Sequence, residues 1–383
     1  MDEKKKAPKL RFKGFTDDWE QRKWKEIMLV NSGRDYKHLN EGKIPVYGTG
    51  GYMLSVDKSL SNIDAIGIGR KGTIDKPQYL NAPFWTVDTL FFMTPLKETN
   101  LKFLYALSQN INWKKYDEST GLPSLSKTTI NNIVVKLPHN NEQNKIGKLI
   151  SQIDNLLILQ QRKLEQLKSI KNGILQEIFP DKDLPNLHLK EYEIHWRQRK
   201  LEEITSTITK GTTPLDKSGK GTINFIKVEN INPDNNEINI NSKISKEEHL
   251  GRLKRSILQE NDILFSIAGT LGRIGIISPD LLPANTNQAL AIIRLKEGDL
   301  KFVSTVLKGR TVKKYIRQNP TTGAQPNLSL KQVSNLKIPF PSLQEQTQLG
   351  KFFEKTDLLT DKQQRIVTQF EQAKLFLLQN MFI

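Results

Sequence analysis

The sequence predicts an α/β (α+β) fold: two globular domains in tandem, each followed by a long α-helix. The two helices are expected to pair as an antiparallel coiled coil, giving a dumbbell with pseudo-two-fold symmetry. Three observations predict this. The 383-residue chain repeats itself, each repeat opens with short apolar runs separated by turn residues, and each closes with a proline-free stretch of heptad spacing. The length suits two or three domains at roughly 100–200 residues each.

The repeat sets the order of elements. Asp18-Trp-Glu-Gln-Arg-Lys-Trp-Lys-Glu-Ile27 returns as His195-Trp-Arg-Gln-Arg-Lys-Leu-Glu-Glu-Ile204. Ile66 to Thr73 returns as Ile263 to Thr270, Thr86 to Met93 as Thr286 to Ile293, and Thr120-Gly121 as Thr322-Gly323. Glu142-Gln143 returns as Glu345-Gln346, and Gln160-Gln-Arg162 as Gln363-Gln-Arg365. The offset grows only through the middle of each copy, where loops absorb insertions. The organisation that follows is a lead over 1–14, a first globular domain over 15–141 and a long helix over 142–179. A polar linker over 180–194, a second domain over 195–344 and a distal helix over 345–383 complete the chain.

Within the globular parts, Gly48-Thr-Gly-Gly51, Asn81-Ala-Pro83, Gly211-Thr-Thr-Pro214 and Asn232-Pro-Asp234 punctuate the chain as turns. Between them, Ile63–Ile68, Thr89–Met93, Ile133–Leu137, Ile263–Ile267 and Leu290–Leu295 read as strands. Leu101–Gln109 and Phe302–Lys308 read as helices.

The long helices declare themselves by spacing. With Ile146 at an a position, the seam runs Ile146, Ile150, Ile153, Leu157, Gln160, Leu164, Leu167, Lys171, Ile174, Ile178. The second copy reads Leu349, Phe353, Thr356, Thr360, Gln363, Val367, Phe370, Lys374, Leu377, Met381, with Gln and Lys recurring at the same two places. Repeated polar seam residues set register in coiled coils. Each helix spans about 37 residues, or about 55 Å at 1.5 Å per residue. A homodimeric zipper would also satisfy one stripe, but two stripes in one chain most simply bury each other. Short connections favour the antiparallel arrangement.

Composition narrows the partner. Lys and Arg number 58 against 41 Asp and Glu, a formal charge of +17, with a pI near 9.6. Residues 1–180 carry +9 and residues 181–383 carry +8, so each copy is equipped to meet its own stretch of polyanion. Zero cysteines remove disulfides, thiolate metal sites and a cysteine nucleophile from consideration. No apolar run reaches the length of a membrane span, and the expected setting is the reducing cytosol. Two basic heads on a rod read as a ruler for double-stranded DNA, since paired readers engage half-sites about 34 Å apart.

The Trp-Glu-x-Arg/Lys opening, Pro45-Val-Tyr-Gly-Thr-Gly-Gly51, Gly69-Arg-Lys-Gly-Thr73, Trp85-Thr-Val-Asp-Thr-Leu90 and the Pro…Glu-Gln…Ile helix together resemble the specificity subunit of type I restriction-modification systems. The resemblance covers nearly the whole chain. It implies two target-recognition domains, each reading half of a bipartite, interrupted DNA site. It implies helices that dock two methyltransferase subunits, and two translocase–nuclease subunits that complete the complex. No cofactor is expected in this chain; S-adenosylmethionine, ATP and Mg belong to those partners. The readings left open are a stand-alone duplicated DNA-binding regulator and a self-sufficient methyltransferase or endonuclease.

Candidate DNA contacts in the first head are Arg70 and Lys71, flanked by glycines, with Tyr47 and Thr49. In the second head they are Lys210, Thr212, Arg252, Lys254, Arg255, Arg273, and the amides Asn287 and Gln288, which suit adenine edges. Any one of them alone reads equally well as a solvated charge or a turn. Asn81-Ala-Pro-Phe84 is similar to the Asn-Pro-Pro-Phe of amino-methyltransferases, but no strand–glycine loop–helix accompanies it, so it reads as a turn. Asp35…Glu41-Gly-Lys43 is common in lysine-rich chains. No nucleotide-binding Gly-x-x-x-x-Gly-Lys-Ser/Thr run is present, and the five histidines are scattered. Trp19 and Trp196 read as core.

Overall fold

The computed structural model describes all residues except 1–6, 97–98, 180–186, 188, 190–195, 217, 234–235 and 320–326. The expected match of Thr120-Gly121 to Thr322-Gly323 and most of the 180–194 linker therefore lie outside the described residues. The chain divides into two units, Met1–Gln161 with Arg365–Ile383, and Arg162–Gln364. The division falls inside both long helices.

The first unit contains β1 (Glu20–Lys23), β2 (Met28–Ser32), β3 (Glu41–Gly48), β4 (Gly51–Val56) and β5 (Ala65–Gly69). Next come β6 (Gln78–Leu80), β7 (Trp85–Thr86), β8 (Leu90–Pro95), α1 (Leu101–Asn110), α2 (Lys127–Asn132) and β9 (Val134–Leu137). The long helix α3 (Asn140–Ile178) follows. After it come β10 (Arg197–Lys200), β11 (Thr205–Lys210), β12 (Ile223–Ile226), β13 (Lys243–Ile244) and α4 (Lys246–Leu250). The remainder is β14 (Ile263–Ser266), β15 (Ile274–Ile276), β16 (Ala284–Thr286), β17 (Leu290–Leu295), α5 (Leu300–Lys308), α6 (Arg310–Gln318), α7 (Leu330–Ser334) and β18 (Lys337–Phe340). The second long helix, α8, is Leu343–Met381.

The repeat is structural. The first head has sheets ordered β1-β9, β2-β8-β5-β6 and β4-β3-β7; the second has β10-β18, β11-β17-β14-β15 and β13-β12-β16. In both, the three-stranded sheet joins its central strand to the last by a parallel pairing, Tyr47 opposite Thr86 and Ile226 opposite Thr286. Strand content explains the burial: Ala65–Gly69 and Ile263–Ser266 are buried along their whole length, so they read as continuous rather than alternating apolar runs. Long-helix bounds sit about two residues earlier than the heptads suggested, because the strand-ending Pro138 and Pro341 lie only two residues ahead of each helix.

Each head closes over one end of each long helix. In the first unit, Ile146 and Ile150 of α3 share a core with Leu378, Met381 and Phe382 from the end of α8. Trp19 meets Phe103 at 5.9 Å and Phe382 at 6.3 Å. In the second unit, Leu349 and Phe353 share a core with Ile178 and Phe179. There Trp196 meets Phe302 at 6.1 Å and Phe179 at 5.9 Å. Both tryptophans are thus core residues. Outside the cores, Asp154 pairs with Lys374 at 2.7 Å in the first unit; in the second, Asp357 pairs with Lys171. As one helix's numbering rises the other's falls, so within each unit the segments run antiparallel. None of the ten seam positions in either helix is exposed.

Two repeated glutamines tie helix to head. Gln143 accepts from the Asn100 N–H at 3.1 Å and donates to the Pro138 carbonyl at 2.9 Å. Gln346 does the same with Asp299 at 3.0 Å and Pro341 at 2.8 Å. Asn100 and Asp299 cap α1 and α5, and those caps press on Gly147 and Gly350: a Cβ there would lie 2.7 Å from Asn100 Oδ1 and 2.4 Å from Asp299 Oδ1. The lead is also part of the fold. Arg11 makes a bidentate pair with buried Glu142 at 2.7 and 2.8 Å, and the Leu10 N–H donates to the Asn380 carbonyl at 2.8 Å. The Leu187 N–H donates to the Glu177 carbonyl at 3.0 Å, the equivalent bond in the second unit. The repeat accordingly begins earlier than Asp18: Pro8-Lys-Leu-Arg-Phe-Lys13 matches Pro185-Asn-Leu-His-Leu-Lys190.

Candidate nucleic-acid interface

In the first head, the β3–β4 hairpin turns at Thr49-Gly50 with Gly51 at φ +109°. That angle suits glycine. Gln78 on β6 donates to the carbonyls of Gly48 at 2.9 Å and Thr49 at 3.2 Å, holding the tip. The β5 strand ends in Gly69-Arg70-Lys71-Gly72. There the Arg70 N–H donates to Thr89 at 2.8 Å, and the Leu125 N–H donates back to Arg70 at 2.9 Å. Gly72 has φ +90°, and a Cβ on it would stand 4.0 Å from Thr49 Oγ1. The structure therefore brings Thr49, Arg70 and Lys71 to one edge, both cations exposed. Arg70 stacks over Phe91 at 5.8 Å. Tyr47 packs edge-on to Tyr52 at 6.5 Å; Tyr52 is 63% exposed and Met53 49%.

In the second head, Gly211 is pressed against its neighbour strand: a Cβ would lie 2.1 Å from the carbonyl oxygens of Thr286 and Asn287. This packing positions Lys210, Thr212 and Thr213. The Thr212 hydroxyl accepts from Arg255 Nε at 3.2 Å, and Thr213 donates to Gln288 Oε1. Asn287 Oδ1 accepts from the Ala289 N–H at 3.2 Å. Arg252, Lys254 and Arg255 are exposed on the turn after α4. A buried network supports that turn: Asn285 Oδ1 accepts from His249 Nδ1, and its Nδ2 donates to the Leu253 carbonyl at 2.9 Å and to Ser256 Oγ at 3.2 Å. Nearby Asp216 accepts from the N–H and hydroxyl of Ser218, each at 2.8 Å. The backbone bond leads in holding its carboxyl below the usual range.

Arg255 and Thr212 thus meet through one hydrogen bond, and Thr213, Asn287 and Gln288 line one cleft beside them, while Lys210 is exposed just ahead of Gly211. Arg273 does not join them. Its Nη1 donates to the carbonyls of Val228 at 3.3 Å and Ile231 at 3.1 Å, which ties one arm of the half-buried guanidinium to the turn after β12. The spacing of an arginine in a loop carries no sign of which way it turns. The equivalents of Arg70 and Lys71 are Ile267 and Ala268: the Ile267 N–H donates to Ala289 and the Leu328 N–H donates to Ile267, both at 2.8 Å.

Sequence reasoning missed several neighbours. Arg34 follows Gly33 as Thr212 follows Gly211, and the Arg34 and Thr212 N–H groups both donate to the carbonyl of the equivalent threonine, Thr86 at 2.8 Å and Thr286 at 3.0 Å. Extending the repeat would have found it. Tyr52, Met53, Lys227 and Lys243 were marked by no local pattern. Among the described residues, no group of three or more His, Asp or Glu is placed to hold a metal ion, and no helix is long and apolar enough to cross a membrane.

A duplicated scaffold that presents different side chains from matching edges defines a protein that discriminates between targets. Residues 16–169 and 193–372 match the type I restriction modification DNA specificity domain. The chain belongs to that family, the non-catalytic specificity subunits that recognise DNA targets. It is 25% identical over 326 residues to the type I restriction enzyme MjaVIII specificity subunit of Methanocaldococcus jannaschii, covering 82% of this chain and 74% of that one. It is 29% identical over 259 residues to the EcoBI specificity subunit of Escherichia coli, covering 60% of this chain and 53% of that one. The fold is similar to the crystal structure of the type I restriction-modification S subunit from M. genitalium, with a TM-score of 0.72 and 17% identity over 98% and 99% of the two chains.

Proposed function

We propose that this subunit reads a bipartite, interrupted DNA site, residues 15–141 contacting one half and residues 195–344 the other. The helices over 142–179 and 345–383 are read as a coiled-coil strut that keeps the heads at a set separation and docks two methyltransferase subunits. Two restriction–translocase subunits would complete the complex in the cytosol. S-adenosylmethionine, ATP and Mg act on those partners. The observation that carries this reading is the pair of matched edges with unlike chemistry: Arg70-Lys71 against Ile267-Ala268, and Val87-Asp88 against Asn287-Gln288. One scaffold with two sets of side chains suits two different half-sites.

The DNA contacts proposed are Tyr47, Thr49, Arg70 and Lys71 in the first head, with Lys210, Thr212, Arg252, Lys254, Arg255, Asn287 and Gln288 in the second. Exposed cations supply salt-sensitive grip on phosphates, and the amides read base edges. Docking on the helices is supported by apolar side chains that the seam leaves outside, among them Leu156, Leu159 and Ile170 on α3, and Phe352, Leu358 and Leu359 on α8. Such patches on a basic, polar surface mark contact sites.

Co-expression with the cognate methyltransferase subunit, followed by long-read sequencing of methylated DNA, tests the reading. A split motif with an unspecified spacer is expected. Methylation by the isolated chain with S-adenosylmethionine, or failure to bind any methyltransferase subunit, would overturn it.

A further inference from the structure

In the second head, the loop after β11 stands away from the sheet β13-β12-β16 and leaves a cleft of about 230 Å³. Phe225, 2% exposed, lies at its base. Thr213, Lys227, Lys243, Asn287 and Gln288 stand around it. The fold does not require this opening. At the matching place in the first head, Gly48 replaces Lys227 and Val87 replaces Asn287. There a half-exposed Met53 lies alongside, its Sδ 2.8 Å from where a Cβ on Gly48 would stand. The first copy sets apolar side chains at this place, and the second surrounds the opening with polar ones.

The polar groups of the cleft point one way chemically. Asn287 Oδ1 already accepts from the Ala289 N–H, and Gln288 Oε1 already accepts from Thr213. Each amide oxygen thus has one of its two lone pairs engaged, while both N–H bonds of each NH2 remain to be offered. Lysine ammonium groups only donate. The Lys227 ammonium lies 3.9 Å from Glu229 in a pair open to solvent, which holds it weakly. The one carboxylate at the rim, Asp216, directs its oxygens to Ser218. Two ammonium groups and two amide NH2 groups thus outweigh the acceptors of the lining, which are the Thr213 and Ser242 hydroxyls, the amide oxygens and Asp216 at the rim.

In the major groove, guanine presents two adjacent acceptors, N7 and O6, whereas adenine pairs one acceptor with an amino donor that needs an acceptor in return. We propose that this cleft is the specificity-determining site of the second head and that it reads the acceptor edge of a guanine through Lys227, Lys243 and the amide NH2 groups of Asn287 and Gln288. This replaces the expectation from sequence that the two amides read adenine. It rests on the reading of the chain as a DNA-specificity subunit. A backbone phosphate offers the same acceptors, and the test separates the two sources.

The assembled complex with its methyltransferase partners is used throughout. First, the wild-type motif is determined and each guanine in it is replaced in turn by 7-deazaguanine, which has C–H for N7. One guanine is expected to lose about tenfold in affinity on replacement. Second, the same series is measured with Gln288→Glu and with Lys227→Gln. At that guanine the replacement is expected to cost little further, since its partner is already lost, while the other half-site keeps its preference. Additive losses at every guanine overturn the proposal, as does a motif without guanine. If the variants weaken all sequences equally and lower the salt dependence by about one phosphate, the cleft grips the backbone and base reading is overturned. A wild-type complex that methylates no split motif removes the parent reading as well; an intact motif with unaltered variants removes only this one.

Discussion

Gly33 and Gly211 show how a single atom can govern a recognition edge. A Cβ on Gly33 would lie 2.0 Å from the Val87 carbonyl oxygen, and on Gly211 2.1 Å from two carbonyl oxygens. Both contacts are to backbone, which cannot swing aside. Gly211→Ala should displace Lys210 to Thr213 and weaken specific DNA binding at least about tenfold by fluorescence anisotropy, with the other half-site still discriminated. Lys308 is a different case. Burial leads in pushing its ammonium down to about 8, with Lys171 and Lys301 adding to the fall and Asp357 and Asp361 opposing it. Below that value both folded and unfolded states carry the proton, and the fold bears the full cost of the buried charge. Between about 8 and the ordinary lysine value the unfolded state binds the extra proton, so stability rises with pH. Lys308→Met should stabilise the chain by about 1–3 kcal/mol at pH 7 and flatten that rise, read from urea midpoints at pH 7 and 9.5.

At the scale of elements, the helix–head joints matter most. Gln346 is fully buried, and its amide serves one acceptor and one donor that no water can reach. Gln346→Leu should cost about 2–4 kcal/mol by leaving the Asp299 N–H and the Pro341 carbonyl unpaired, detected as a lower urea midpoint, and Gln143→Leu should behave alike. These joints explain why Glu-Gln recurs in the sequence. The repetition was legible there, but its purpose was not, because Asn100 and Asp299 lie more than forty residues upstream. The long helices were legible for the opposite reason: heptad spacing is a one-dimensional signal, and none of its ten positions in either helix is exposed. The donor cleft could not be read off in advance, since Lys227, Lys243 and Asn287 come from three strands whose adjacency only the sheet creates. Likewise nothing in the sequence tied the lead to the first helix, because Arg11 finds Glu142 across 131 residues.

For the whole molecule, the proposed strut makes the spacing of the two half-sites depend on helix length. Each long helix has 39 residues, about 58 Å at 1.5 Å per residue. Inserting seven residues at matched points of both helices adds about 10.5 Å, or about three base pairs at 3.4 Å each. Methylome sequencing should show a longer spacer between unchanged half-sites; the same spacer would contradict the strut. The Asp154–Lys374 and Asp357–Lys171 pairs give the places between which such an insertion keeps register.

The packing of Phe382 and Met381 beneath Trp19 and Phe103 has a temporal meaning. Residues 365–383 belong physically to the first unit, so that head waits for a stretch translated after the second head before its interior is sealed. Halting synthesis near residue 365 should spare the domain made most recently and leave the oldest one open to proteases. Limited proteolysis of such a truncated chain, with fragments identified by mass, would show cuts concentrated within 15–141.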